Sequence, residues 1–227
     1  MKKINRIWIY PLFAGVFLIL VSRCNNDNET PATVTDIDGN VYHTVTIGTQ
    51  VWMVENLKTT KYRNGDLIGT SIPATLDLSS ESSPKYQWAY NEEVSKVATY
   101  GRLYTWYAAT DSRNVCPTGW HVPSEAEWTT LITYLGSVAG GKLKEKGTVH
   151  WLSPNNGANN ESGFTGLPGG LRQKDGTFGG LTNLGTWWSS SEYMPNAWSL
   201  SLYWTNENAI GLQFEKFWGF SVRCVRD

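Results

Sequence analysis

The stretch Pro123-Ser124-Glu125-Ala126-Glu127-Trp128-Thr129-Thr130-Leu131-Ile132-Thr133-Tyr134-Leu135-Gly136 decides the fold class. Ser124 and Glu127 fit an S-x-x-E capping box, in which each side chain answers a backbone N–H of the first turn, and Pro123 stiffens the approach. Trp128, Leu131, Ile132 and Leu135 fall on one helical face, and Gly136 supplies the stop. A second, shorter amphipathic helix is expected behind Gly101, where Leu103, Trp106 and Tyr107 stand at i, i+3 and i+4. A third short turn is expected over residues 142–146. Strand signals lie on both sides of this helical middle. Upstream, residues 34–37 lead through the hairpin dipeptide Asp38-Gly39 into 41–47, and Gly48-Thr49-Gln50 turns the chain into 51–54. Downstream, strands are expected at 186–191, 197–203, 209–214 and 220–225, with turns at 194–196, 205–208 and 216–219. Residues 59–84 and 157–180 read as irregular backbone, the second because Gly and Asn dominate it. Strands flanking helices indicate an α+β class.

Composition agrees. The 227 residues carry 12 Trp, 11 Tyr and 22 Gly, with only 17% charged residues against the ~25% usual for soluble domains. An aromatic-rich, charge-poor chain is neither a disordered segment nor a coiled coil. The formal charge of −1 leaves no electrostatic footprint for nucleic acid.

Lys2, Lys3 and Arg6 precede an apolar stretch over residues 7–21, short of the ~20 residues that span a bilayer, which is the shape of a secretory signal. The following Val21-Ser22-Arg23-Cys24 resembles a bacterial lipoprotein signal, with Cys24 as the lipid-attachment residue; Arg23 stands where such signals carry a small residue. Residues 1–23 are thus expected to be a signal peptide, 24–33 a lipid-attached tether, and 34–227 one domain. Removal of 1–23 takes Lys2, Lys3, Arg6 and Arg23 and no acid, leaving 15 basic against 20 acidic residues, a net charge of −5. In an oxidising compartment, with Cys24 lipidated, Cys116 and Cys224 make an even pair for which a disulfide is the default; two separate buried thiols are the alternative.

Several strings then carry a family resemblance. Tyr100-Gly101-Arg102-Leu103-Tyr104-Thr105-Trp106-Tyr107-Ala108-Ala109, Cys116-Pro117-Thr118-Gly119-Trp120-His121-Val122-Pro123, Leu167-Pro168-Gly169-Gly170, Gly185-Thr186-Trp187-Trp188-Ser189-Ser190-Ser191-Glu192 and Gly219-Phe220-Ser221-Val222-Arg223-Cys224-Val225 occur in order. Together they resemble the Fibrobacter succinogenes major paralogous domain family over about residues 34–227. The resemblance implies the C-type-lectin-like fold of the formylglycine-generating-enzyme group, with short antiparallel strands, two main helices and long irregular loops. It also implies that the first and last strands pair, that most of the aromatic strings are core, and that the protein is exported to the cell envelope, at the outer membrane or cell surface.

Enzyme relatives implied by that fold hold copper on a late cysteine pair or iron on a histidine set. Here Cys224 is the only late cysteine, and His43, His121 and His150 share no ligand spacing. The Asn155–Glu161 run offers amides but one carboxylate, a poor calcium set. Ser189-Ser190-Ser191 lacks the G-x-S-x-G turn of a nucleophile elbow. No catalytic residue, metal or cofactor is therefore expected. A binding or adhesion module fits better, tethered to the membrane by its lipid and recognising a glycan or protein through loops of the C-terminal sheet. Its candidate ligand residues are Tyr193, Asn196, Trp204, Asn206, Asn208 and Trp218, aromatics and amides near turns. A sulfatase-modifying type of enzyme and a purely structural envelope lipoprotein are the alternatives.

Overall fold

The computed structural model describes residues 32–227 together with Met1. The expected signal at 1–23, the lipid-attachment Cys24 and nearly all of the 24–33 tether lie outside the described residues. Pro31–Asp227 forms one compact unit, and none of its helices is long and apolar enough to cross a membrane.

The first strand β1 (Thr33–Thr35) turns into β2 (Val41–Ile47). The turn is set by Asp36, whose carboxylate accepts from Asp38 N, Asn40 N and the Tyr42 hydroxyl, and Gly39 takes the left-handed φ of +85° that closes it. β2 buries Tyr42 and Ile47 and pairs antiparallel with β3 (Gln50–Met53) across the Gly48-Thr49 turn. Residues 59–84 follow without a named element, as expected. A two-stranded ribbon joins β4 (Gln87–Trp88) to β5 (Leu103–Tyr104), with the single-turn helix α1 (Val97–Tyr100) between them.

The middle of the chain corrects the expectation of two main helices. Leu103 belongs to β5, and Thr105, whose hydroxyl accepts from Ala108 N, starts only a single-turn helix α2 (Trp106–Ala109). After β6 (Trp120–His121) comes the one helix longer than five residues among the described residues, α3 (Glu125–Leu135). Its capping box is complete and its buried face is Trp128, Leu131 and Leu135. The expected third turn lies slightly earlier, as α4 (Ala139–Leu143).

Residues 157–180 are not wholly irregular: they contain β7 (Gly169–Arg172) and β8 (Phe178–Leu181). Then come β9 (Leu184–Tyr193), β10 (Asn196–Tyr203), β11 (Ile210–Glu215) and β12 (Val225–Arg226). One sheet has the order β1-β2-β3-β12-β6 and the other β11-β10-β9-β7-β8. The last strand therefore pairs with β3 and β6, not with β1, although first and last strands share a sheet. Mixed strands and helices make the molecule α+β.

Most tryptophans are core. Trp52 stacks on Trp128 at 4.6 Å, and Phe164 meets Trp52, Trp128 and Trp187 at 5.9–6.0 Å. A second cluster packs Trp188 on Phe220 at 4.3 Å around Cys116 and Cys224, which form a disulfide with a Cα–Cα distance of 6.1 Å.

Candidate functional site

The six candidate residues fall into two groups at opposite ends of β10. Trp204, Asn206 and Asn208 follow its C-terminal end; Tyr193 and Asn196 flank the turn before its N-terminal end. The eight residues of β10, at a rise of ~3.3 Å each, put roughly 23 Å between the groups. Trp218 joins the Tyr193 end, because it follows β11, whose Glu215 pairs with Asn196.

At the Trp204 end the loop is tied by its backbone, while the Asn208 side chain is exposed beside a shallow depression of about 440 Å³ lined by Asn156, Thr205, Asn206, Glu207 and Asn208. The Asn206 amide oxygen accepts from Asn208 N, and Asn156 Nδ2 donates to Thr205 O, each at 2.9 Å. Beneath this loop the fully buried Lys144 ammonium donates to three backbone carbonyls, Asn156 O (2.8 Å), Tyr203 O (3.0 Å) and Asn206 O (2.9 Å). Burial lowers its pKa to about 8, opposed by Glu207. Trp204 is half-buried against the α3 core. This end is a fastened loop.

The other end is organised by Lys216, a residue of the turn that precedes Gly219. Its side chain is only 6% exposed. The ammonium pairs with Glu192, lies 3.5 Å from Met194 Sδ, and sits over the Trp106 ring at 4.7 Å and the Tyr107 ring at 5.9 Å. A cation buried against aromatic faces and paired with a carboxylate is well compensated. Lys216 thereby ties the β9–β10 turn to α2. Above it Tyr193 is 56% and Met194 75% exposed. Trp218 is different: its ring packs at a tilt against Phe214 (5.1 Å) and edge-on against Phe220 (6.0 Å), so it is largely a packing residue.

Beside the turn, between α2 and β9, runs a groove of about 480 Å³, walled by Trp106, Thr110, Asp111, Asn114, Ser190 and Glu192. The half-exposed Trp106 crosses from helix to strand, its indole N–H donating to Ser189 O at 2.9 Å. Asp111 is gripped by Arg113 at 2.8 and 3.0 Å and by Lys85 at 2.7 Å, and the Arg113 fork holds its carboxyl well below the usual carboxylate range. His121, at the far wall, places Nδ1 2.6 Å from Asp227 and Nε2 2.7 Å from Glu127.

Of the serine run, Ser189 is buried and Ser191 Oγ accepts from Glu125 N at the start of α3, so both serve the fold. Among the described residues no three His, Cys, Asp or Glu side chains come together as metal ligands. Sequence reasoning missed Trp106 as a wall residue, Asn114, Glu192 and Lys216. Trp106 and Glu192 stand inside the quoted strings, but nothing in the sequence marks which rings and acids reach the surface.

No curated protein and no solved structure matches the chain. The model of the Fibrobacter succinogenes major domain matches residues 45–226. That span runs from within β2 to the last strand, leaves out β1, and includes the rest of both sheets, the disulfide and both ends of β10, and the chain therefore belongs to the Fibrobacter succinogenes major domain family.

Proposed function

We propose that the protein is an exported, non-enzymatic binding or adhesion module on a C-type-lectin-like scaffold. In this reading residues 1–23 are its signal peptide and Cys24 its lipid anchor at the outer membrane or cell surface. Its glycan or protein ligand meets the β9–β10 turn and the adjoining groove. The observation that carries the reading is Lys216: a buried ammonium fixes Glu192, Met194 and Trp106 in one rigid surface from which Tyr193 and Met194 project. Exposed rings and thioethers on a preorganised base are the usual chemistry of interface anchors. The Cys116–Cys224 bond supports export, because such bonds persist in oxidising compartments. Trp204, the ring at the Asn206–Asn208 end, is half-buried against the α3 core, which favours the Tyr193 end as the ligand surface.

The test is a glycan and protein array probed with the purified full-length chain, followed by Tyr193→Ser and Met194→Ser variants. These exposed substitutions are expected to leave Tm unchanged and to abolish binding, whereas Asn208→Ala leaves binding intact. Undiminished binding in both turn variants removes the β9–β10 turn from the ligand surface and leaves only the groove beside it. Absence of any ligand on both arrays favours a structural envelope protein.

A further inference from the structure

The polar atoms of the groove divide into those already bonded and those left over. Asp111 has both oxygens occupied by Arg113 and Lys85, and His121 has both ring nitrogens on carboxylates. The Thr110 hydroxyl donates to Trp106 O, and Asn114 Oδ1 accepts from Cys116 N. Among the described residues Asn114 Nδ2, Ser190 Oγ and the second oxygen of Glu192 bond no protein group, and all three belong to the groove wall. They supply one donor, one group of both kinds and one acceptor. Each is held from behind: Asn114 by its bond to Cys116 N, Glu192 by Lys216, and Ser190 by its own N–H on Pro123 O.

Charge narrows the partner. Every cation at the groove is matched, Lys216 by Glu192, Lys85 by Asp111, and Arg113 by Asp111 and Asp66. An acceptor-only anion such as a sulfate, phosphate or carboxylate finds no free cation here and two carboxylates nearby, a costly desolvation. A hydroxyl both donates and accepts and so matches the mixed set of atoms. Beside them, half-buried Trp106, with the buried Ala109 and Val122 at its base, provides apolar wall, which suits the C–H side of a sugar ring. The volume of about 480 Å³ is within the range of ordinary ligand sites.

We infer that the groove between α2 and β9 is a site for a neutral saccharide, with Trp106 packing against the ring and Asn114, Ser190 and Glu192 binding its hydroxyls. The inference rests on the binding-module reading and sharpens it, since sulfated and uronate glycans are excluded.

The experiment uses the full-length chain, solubilised in a detergent without a sugar headgroup. It is applied to an array of neutral hexose and N-acetylhexosamine oligosaccharides beside their sulfated and uronate counterparts, and the best-retained saccharide is titrated by calorimetry. Retention is expected for neutral chains alone. Ser190→Ala deletes a hydroxyl with no structural partner, and Asn114→Asp keeps the Oδ1 acceptor but replaces the free donor by a charge. Each is expected to weaken binding by roughly fivefold or more, the worth of one hydrogen bond, with unchanged Tm, while Thr133→Ala on the exposed side of α3 changes nothing. Equal or better retention of anionic chains overturns the inference, and so does neutral binding indifferent to both groove variants. If no saccharide is held but a protein ligand is, and Tyr193→Ser or Met194→Ser releases it, the saccharide inference fails and the binding module stands. If neither array yields a ligand, both fail.

Discussion

Asn56 decides whether a buried cation is tolerable. Its Oδ1 accepts from Arg223 Nε (3.2 Å), Arg223 Nη2 (2.7 Å) and Trp187 Nε1 (2.7 Å), while Nδ2 donates to Tyr100 O and Ser221 Oγ. Arg223 is fully buried, also bonds Phe164 O, and stacks over the Phe164 ring at 4.1 Å; its burial pushes the guanidinium pKa down. Asn56→Leu removes the neutral acceptor and leaves a desolvated charge, so a loss of about 3–5 kcal/mol is expected, read as the urea midpoint at unchanged m. Asn56→Asp keeps the acceptor and adds an opposite charge, and is expected to lose less than half as much. The same device recurs: Arg172 lies over Trp88 (4.3 Å), Lys144 near Trp151 (5.5 Å) and Lys216 over Trp106, each also on carbonyls or a carboxylate. The sequence announced the rings and not the cations beneath them. A Lys or Arg is by default a surface residue, and only its bonding to backbone carbonyls far along the chain reverses that default.

At the scale of elements, legibility follows how local the cause is. α3 was readable because its cap, stripe and stop lie within fourteen consecutive residues, 123–136. β7 and β8 were not, because glycines build them. A Cβ on Gly170 (φ +69°) would collide with Gly179 O and Leu181 N, so close backbone approach replaced the β-branched side chains that advertise a strand. Leu103, Trp106 and Tyr107 imitate a helical stripe, yet pairing with Gln87-Trp88 draws Leu103 into a strand. The groove was unreadable for the same reason: α2 and β9 meet only in three dimensions. Two predictions belong here. Ser124→Ala breaks the capping box and is expected to cost about 1 kcal/mol, measured by denaturant unfolding. His121 binds α3 to the chain's last residue: burial alone would lower its pKa, but Asp227 and Glu127 outweigh that and raise it above 6.5. A raised folded pKa means the stabilisation is complete below pH 6.5 and fades as pH rises through the folded value. Glu127, whose pKa is lowered, sets the acid side, since its share appears above 4.5 and is lost as pH falls through its folded value. Wild type should therefore exceed His121→Gln in urea midpoint by more at about pH 5.5 than at about pH 8.5. The difference should shrink in salt, because the imidazole side chain is 35% exposed.

At the scale of the whole molecule, the last nine residues are the seam between the two sheets. Gly219 exchanges both backbone hydrogen bonds with Arg172 of β7, and Phe220 does the same with Tyr104 of β5. Ser221 N donates to Thr186 O and its carbonyl accepts from Trp188 N, both in β9. Then the chain crosses: Val222 O accepts from Leu57 N, Cys224 O from Met53 N, and Val225 enters the first sheet between β3 and β6. The disulfide to Cys116 locks the strand on the far side of that crossing, closing a sequence separation of 108 residues. In the chain-entropy picture a loop of this length is worth up to ~4.7 kcal/mol, within a measured range of about 2–5 for native bonds of small exported domains. The Cys116→Ser/Cys224→Ser protein is expected to lose stability in that range. The loss should also be global, because the seam holds both sheets and Arg223 stands immediately before the bond. Near-ultraviolet circular dichroism follows the buried tryptophans and far-ultraviolet follows the backbone. In the variant their urea transitions should still coincide, shifted together to a lower midpoint. Two separated transitions would mean that the sheets hold themselves independently and that the crossing segment is a connection, not the seam.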